Sequence, residues 1–428
     1  MLRISIVILL LLSLLISGCS ELEEVEFAVG IERKPDVQNL ARRLQQPLQK
    51  LPEYNPNFRS RPDLRSHDLT AVDLADKLET LLNSSFNTVT KWPATMPDSF
   101  NPAYILDLNK NPGLQLRSLH QKGITGEGVS VAIIDYTLLV DHIEYKNNLK
   151  MYREVNYENA PAEFHGSSMA SILAGHSLGV APGVNLYYVA VRNMDIDSDK
   201  IIQNQNFTAQ AIRGIIKLNE TLSEADKIRV ISLSQWWSPH TKGYKNMLKA
   251  MQEAKEKGIF VISCNLWQFN NSFHLYGLVK NALADPDSVD SYYPAPWEHW
   301  LAAINRNGHG DFYQQEFSAI ESKKILMVPS AGIASAGAEH TEDYIFVPEV
   351  NWSNTIPYLA GLYALSCQVK QDITPELFWH TAYQTGTLKV IEIDERKYEA
   401  RIVNPVELIN SLGDQERSDC TEEVVISI

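Results

Sequence analysis

The chain has 428 residues, 44% of them hydrophobic and 21% charged, with a formal net charge of −14. That composition belongs to a globular protein and excludes a disordered one, and no repeat or low-complexity block interrupts it. The acidic balance argues against nucleic acid as a partner, since nothing here would neutralise phosphates.

The first twenty residues, MLRISIVILLLLSLLISGCS, carry one positive charge at Arg3, an apolar run from Ile4 to Ile16, and then small residues. This is the pattern of an export signal, too short for a comfortable membrane span. Leu15-Ile16-Ser17-Gly18-Cys19 also resembles the bacterial lipobox. That resemblance implies cleavage before Cys19, a lipid on its thiol, and residence at the membrane of a bacterial cell envelope. Each buried CH2 of such an anchor contributes about 0.8 kcal/mol. Cys264, Cys367 and Cys420 remain, an odd number that builds no complete disulfide framework and fits no zinc spacing. One pair among them stays open.

Residues 19–105 read as an extension of helices packed on the main body, with residues 1–18 as signal and 106–428 as the principal domain. Val37, Leu40, Leu44, Leu48 and Leu51 recur at helical spacing, interrupted by Pro47. Thr70 with Asp73 opens a second expected helix through Val72, Ala75, Leu78 and Leu82. A polar loop, NPNFRSRPDLRS, lies between them.

From about Gly123 the pattern changes. VSVAIID (129–135), VNLYYVAV (184–191), IRVISLS (228–234) and GIFVIS (258–263) are short, near-continuous apolar runs. NFTAQAIRGIIKLN (206–219) and GYKNMLKAMQEAKEKG (243–258) have helical spacing. Such alternation predicts an α/β domain with a mostly parallel sheet covered by helices on both faces. Sites in such sheets form beyond the carboxyl ends of the strands, where Asp135 and Asn265 fall. Near the C-terminus, EVNWSNTIPYLAGLYAL places Ser353 just ahead of a helical apolar run. A serine there commonly caps the helix.

Several stretches, in the family's order along the chain, resemble the subtilisin-like serine peptidases, the subtilases. KGITGEGVSVAIIDYTLLVDHIEY resembles the segment around that family's catalytic aspartate, and HGSSMASILAG the segment around its histidine. GVAPGVNLYYVAV follows, GIFVISCN ends where the family carries its oxyanion asparagine, and WSNTIPYLAGLYAL resembles the nucleophile segment. YYPAPWEHWLAAINRNGHGDFYQQEFS resembles the family's Tyr-Pro-Ala segment. The resemblance covers residues 110 to 370 and implies a three-layer subtilisin-like fold. It implies Ser353 as nucleophile, His165 as general base and then acid, and Asp135 as the group that holds the imidazole tautomer. Asn265 and the backbone N–H of Ser353 would stabilise the oxyanion. The order Asp, His, Ser is that of subtilisin. No cofactor is implied, although structural calcium is compatible with the family.

The flanks depart from the family. Asn351-Trp352 replaces Gly-Thr before the serine, Asn354-Thr355 replaces Met-Ala after it, and Cys264 replaces the glycine before Asn265. Where a Ser-Leu-Gly-Gly-like strand lines the family's substrate cleft, this chain has Ser234, Gln235, Trp236 and Trp237. Two indoles would narrow the cleft, give it apolar walls, or pack elsewhere in a local rearrangement. The expectation is a serine endopeptidase of narrow specificity acting on a peptide or protein. The alternative is a catalytically impaired subtilase-like binding or scaffold protein of the envelope. A lipase lacks support because no Gly-x-Ser-x-Gly elbow surrounds Ser353.

Overall fold

Strand β3 (Ser130–Asp135) is buried along its whole length, and its side chains alternate between two apolar cores. Val131 and Ile133 point into one, Ala132 and Ile134 into the other. That is why the sequence reads as an unbroken apolar run rather than an alternating one. The computed structural model describes residues 25–39, 47–55, 61–197, 200–266, 273–298, 324–393 and 395–414.

The central sheet joins β1 (Gly30–Ile31), β3, β4 (Leu149–Val155), β5 (Asn185–Val191), β8 (Ile228–Leu233) and β9 (Phe260–Ser263). Its spatial order is β1-β4-β5-β3-β8-β9, and every pair in it is parallel. Helices α5 (Asn206–Thr221) and α6 (Tyr244–Glu256) cover one face. Helices α4 (Phe164–Ala174) and α7 (Thr355–Val369) cover the other. The four expected strands and three expected helices of this domain are all present. The strand β4 was not legible, because Arg153 and Glu154 interrupt its apolar pattern.

A second, mixed sheet follows in the order β11-β10-β12-β16-β15, built from Tyr292–Pro294 (β11), Phe273–Lys280 (β10), Lys324–Pro329 (β12), Arg396–Ile402 (β16) and Thr387–Ile393 (β15). A small third sheet pairs β13 (Ile333–Ala336) with β14 (Tyr344–Val347) and β14 with β2 (Phe86–Asn87). A hairpin of β6 (Met194–Asp197) and β7 (Lys200–Gln203) follows β5. Most of the Tyr-Pro-Ala segment, Cys19 and Cys420 lie outside the described residues. Cys264 and Cys367 are free thiols.

Of the two helices expected in the extension, the second is much shorter than its periodicity suggests. Residues 40–46 of the first lie outside the described residues, and the flanking 37–39 and 47–51 are irregular. The second survives only as α1 (Leu78–Leu82). The reason is local competition. The Asp68 carboxylate accepts the Thr70 N–H at 3.1 Å, and that of Asp73 accepts the Ala75 N–H at 3.1 Å. These turns satisfy backbone donors that a helix would otherwise use. Leu69, Val72 and Leu74 instead enter a core shared with Leu178, Ala334 and Phe346 of the main body. Helix α2 (Pro102–Asn109) runs across the boundary expected at 105–106.

Candidate active site

Asp135 ends β3 and is 2% exposed. Its Oδ1 accepts the Tyr136 N–H at 2.7 Å and lies 2.6 Å from His165 Nδ1. An ionised carboxylate can only accept, so Nδ1 carries the proton and Nε2 presents its lone pair. Asp135 Oδ2 is buried with no hydrogen-bond partner among the described residues. Burial alone would pull the His165 imidazole down. The Asp135 charge, its hydrogen bond and the Glu163 charge outweigh that and hold it above the ordinary histidine value. Glu163 is itself pushed up by burial and by the Asp135 charge.

The glycine after the histidine has a steric cause. A Cβ at Gly166 would come within 2.6 Å of the Thr137 carbonyl oxygen and 2.7 Å of that of Tyr136. Only a residue without a side chain lets the first turn of α4 sit on the end of β3 and bring His165 to Asp135. The Tyr136 ring meets the imidazole edge-on at 5.6 Å.

Ser353 lies in a 3-10 turn, Trp352–Asn354, immediately before α7. It is not the cap. Asn351 caps the turn, its Oδ1 accepting the Ser353 N–H at 3.2 Å. Ser353 is half-exposed, and its turn packs against α4, the helix of His165. Among the described residues no hydrogen bond joins the Ser353 hydroxyl to His165. Catalytic bonds of this kind often tighten only when substrate arrives.

Asn265 is fully buried. Its Nδ2 donates to the Trp237 carbonyl at 3.0 Å, and its Oδ1 accepts the Trp237 N–H at 3.4 Å. Both donors assigned to the oxyanion, the Asn265 amide and the Ser353 N–H, are therefore engaged within the chain. The partners that engage them, Asn351 and Trp237, stand at positions where the sequence departs from the subtilase pattern.

The stretch expected to line the cleft divides. Ser234 is buried, and its hydroxyl donates to the Ser353 carbonyl at 2.9 Å and lies 3.4 Å from Met169 Sδ on α4. It ties the serine turn to the end of β8. Gln235 accepts from Asn193 at 3.4 Å and from Thr208 at 3.1 Å. Trp237 is fully buried among α5 and α6, so it is a core residue and not a cleft wall. Trp236 is half-buried, and its carbonyl accepts from Gln203 of the hairpin at 2.9 Å. Sequence reasoning missed Thr137, Glu163 and Gln203, whose roles depend on contacts across the fold. Among the described residues no group of three or more His, Cys, Asp or Glu side chains is placed to hold a metal ion.

The family model "Subtilase family" matches residues 126–332. Among curated proteins none matches significantly. Two solved structures are similar. The prenylagaramide maturation protease PagA has a TM-score of 0.45 at 16% identity, over 69% of this chain and 98% of that one. The PatG macrocyclase domain has a TM-score of 0.43 at 13% identity, over 70% and 94%.

Proposed function

We propose, from the match of residues 126–332 to the subtilase family model and the geometry of the neighbouring Ser353 turn, that the chain is a serine endopeptidase using Asp135, His165 and Ser353. The observation that carries this is the 2.6 Å contact between Asp135 Oδ1 and His165 Nδ1, which leaves Nε2 as the base. His165 takes the Ser353 proton as its hydroxyl attacks the peptide carbonyl, then returns it to the leaving amine. Asp135 stabilises the imidazolium formed between these steps. Asn265 and the Ser353 N–H receive the oxyanion once they exchange Trp237 and Asn351 for substrate. That exchange demands a substrate able to supply the displacement energy, which fits narrow specificity. The export signal and Cys19 support a lipid-anchored location in the cell envelope. Among the described residues no helix is long and apolar enough to cross a membrane.

The occupied donors also favour a second reading, a binding protein built on a peptidase fold with little turnover. Labelling by a fluorophosphonate probe separates the two. The peptidase reading expects labelling of the full-length protein that disappears in Ser353→Ala. Folded protein that never labels at any pH supports the binding reading.

A further inference from the structure

The loop that delivers His165 is held at four consecutive residues. Pro161 O accepts the Thr137 hydroxyl at 2.6 Å, and Glu163 N donates to Thr137 O at 3.1 Å. These two ties come from Thr137, just beyond the end of β3. The other two come from the N-terminal extension. Ala160 O accepts from Arg33 Nη2 at 2.7 Å, and Ala162 N donates to Asp36 O at 2.7 Å. Arg33 is fixed in turn by Glu154. Its Nη2 lies 2.6 Å from Glu154 Oε1, and its Nε lies 3.1 Å from both carboxylate oxygens. The pair is mostly buried, at 24% and 10% side-chain exposure, and Tyr152 adds a bond to Glu154 at 2.6 Å. A fork of this kind is more directional than a point charge.

The same extension reaches the lead-in to Ser353. Arg61 N donates to the Glu349 carboxylate at 2.5 Å, four residues before the serine. Ser66 and Asn87 bond Glu339, and Thr88 bonds Asp343 at 2.8 Å. β2 pairs with β14, whose chain continues to residue 349. At its start the extension is seated by β1 along β4 and by Phe27 against Gly214 of α5, where no side chain would fit.

We propose that the extension is a retained brace that positions His165 and Ser353, with Arg33 as the positioning residue for the histidine loop. The geometry is that of a built-in part of the domain and opposed to a segment shed on maturation. Effects on turnover rest on the peptidase reading above, but the brace itself has a readout that does not.

The test uses the full-length protein, its Arg33→Ala and Arg33→Lys variants, and hydrogen exchange. Arg33→Ala is expected to speed exchange of the 160–165 amides about 10-fold or more, with α6 amides unchanged. Lysine keeps the charge facing Glu154 but not the fork to its carboxylate together with the bond to Ala160 O, so Arg33→Lys gives an intermediate rate. It carries the same comparison where Arg33→Ala does not fold. Probe labelling is expected to fall about 10-fold in Arg33→Ala, with its pH midpoint moved down as the Asp135–His165 contact loosens. Unchanged exchange in 160–165 for both variants overturns the brace, as does an unchanged pH midpoint in a labelling protein. A wild-type protein that does not label, with exchange still accelerated in the variants, sinks the peptidase reading and leaves the brace standing.

Discussion

The two halves of the candidate site are in different states. On the Asp135–His165 side the contact that sets the imidazole tautomer is already made. A buried carboxylate holds one tautomer, Gly166 admits the close approach of helix and strand, and four ties fix the preceding loop. On the Ser353–Asn265 side the groups that chemistry would need are spent on the chain itself, one on Asn351 and one on Trp237. The proton-handling half is preorganised, while the charge-receiving half must exchange partners. Electrostatic preorganisation is usually the largest single term in peptidase catalysis, so on the peptidase reading the main stabilising element would be assembled only when substrate binds.

That contrast is broken most sharply at Asp135. Asp135→Asn is expected to cut probe labelling roughly 10⁴-fold, the scale seen when a triad carboxylate is neutralised and the imidazole tautomer reversed. The residual pH profile should also move. The folded imidazole is raised, so wild-type labelling climbs as pH rises through a midpoint above the ordinary value of about 6.5, and the midpoint falls in the variant. For stability the sign runs the other way. The ion pair contributes fully below the unfolded pKa of the histidine and fades as pH rises through the folded value. A labelling midpoint at or below the ordinary histidine value counts against an Asp135-polarised base.

Trp237 comes next. As a core residue its truncation in Trp237→Ala should cost about 3–5 kcal/mol of stability, read by denaturant unfolding. A loss below about 1 kcal/mol would place the indole in an open cleft after all. Asn351→Gly sharpens the other half. Freeing the Ser353 N–H should raise labelling, by at most roughly 10²-fold, the worth of one oxyanion donor. It should also lower stability by about 1 kcal/mol or less, for the lost cap. Unchanged labelling would mean that this N–H takes no part. The smallest effect is expected at Ser234→Ala, about 1 kcal/mol of stability for one buried hydrogen bond to the serine turn. An effect on peptide KM without an effect on stability would place Ser234 in the cleft.

How much of this was legible depended on the range of the interaction. Asp135 and Asn265 could be placed because strands buried on both faces announce themselves as apolar runs, and the residues ending them face the site. The four-residue environment of His165 could not, since Arg33 and Ala160 are 127 residues apart. The second helix of the extension is shorter than its periodicity suggests, because Asp68 and Asp73 divert the backbone around Val72 into turns and only Leu78–Leu82 is helical.

Sequence by itself determined the doubly covered sheet, the order of the candidate Asp, His and Ser residues, and the apolar helix behind Ser353. Each follows from local patterning, in which a strand or helix buries the face its own residues dictate. Tertiary structure alone decided that Trp237 lies in the core, that Asn351 rather than Ser353 caps the turn, and that the extension holds the histidine loop. Those outcomes come from competition among distant groups for the same donors and the same buried space. A buried polar group must find its partner wherever the fold brings one within reach.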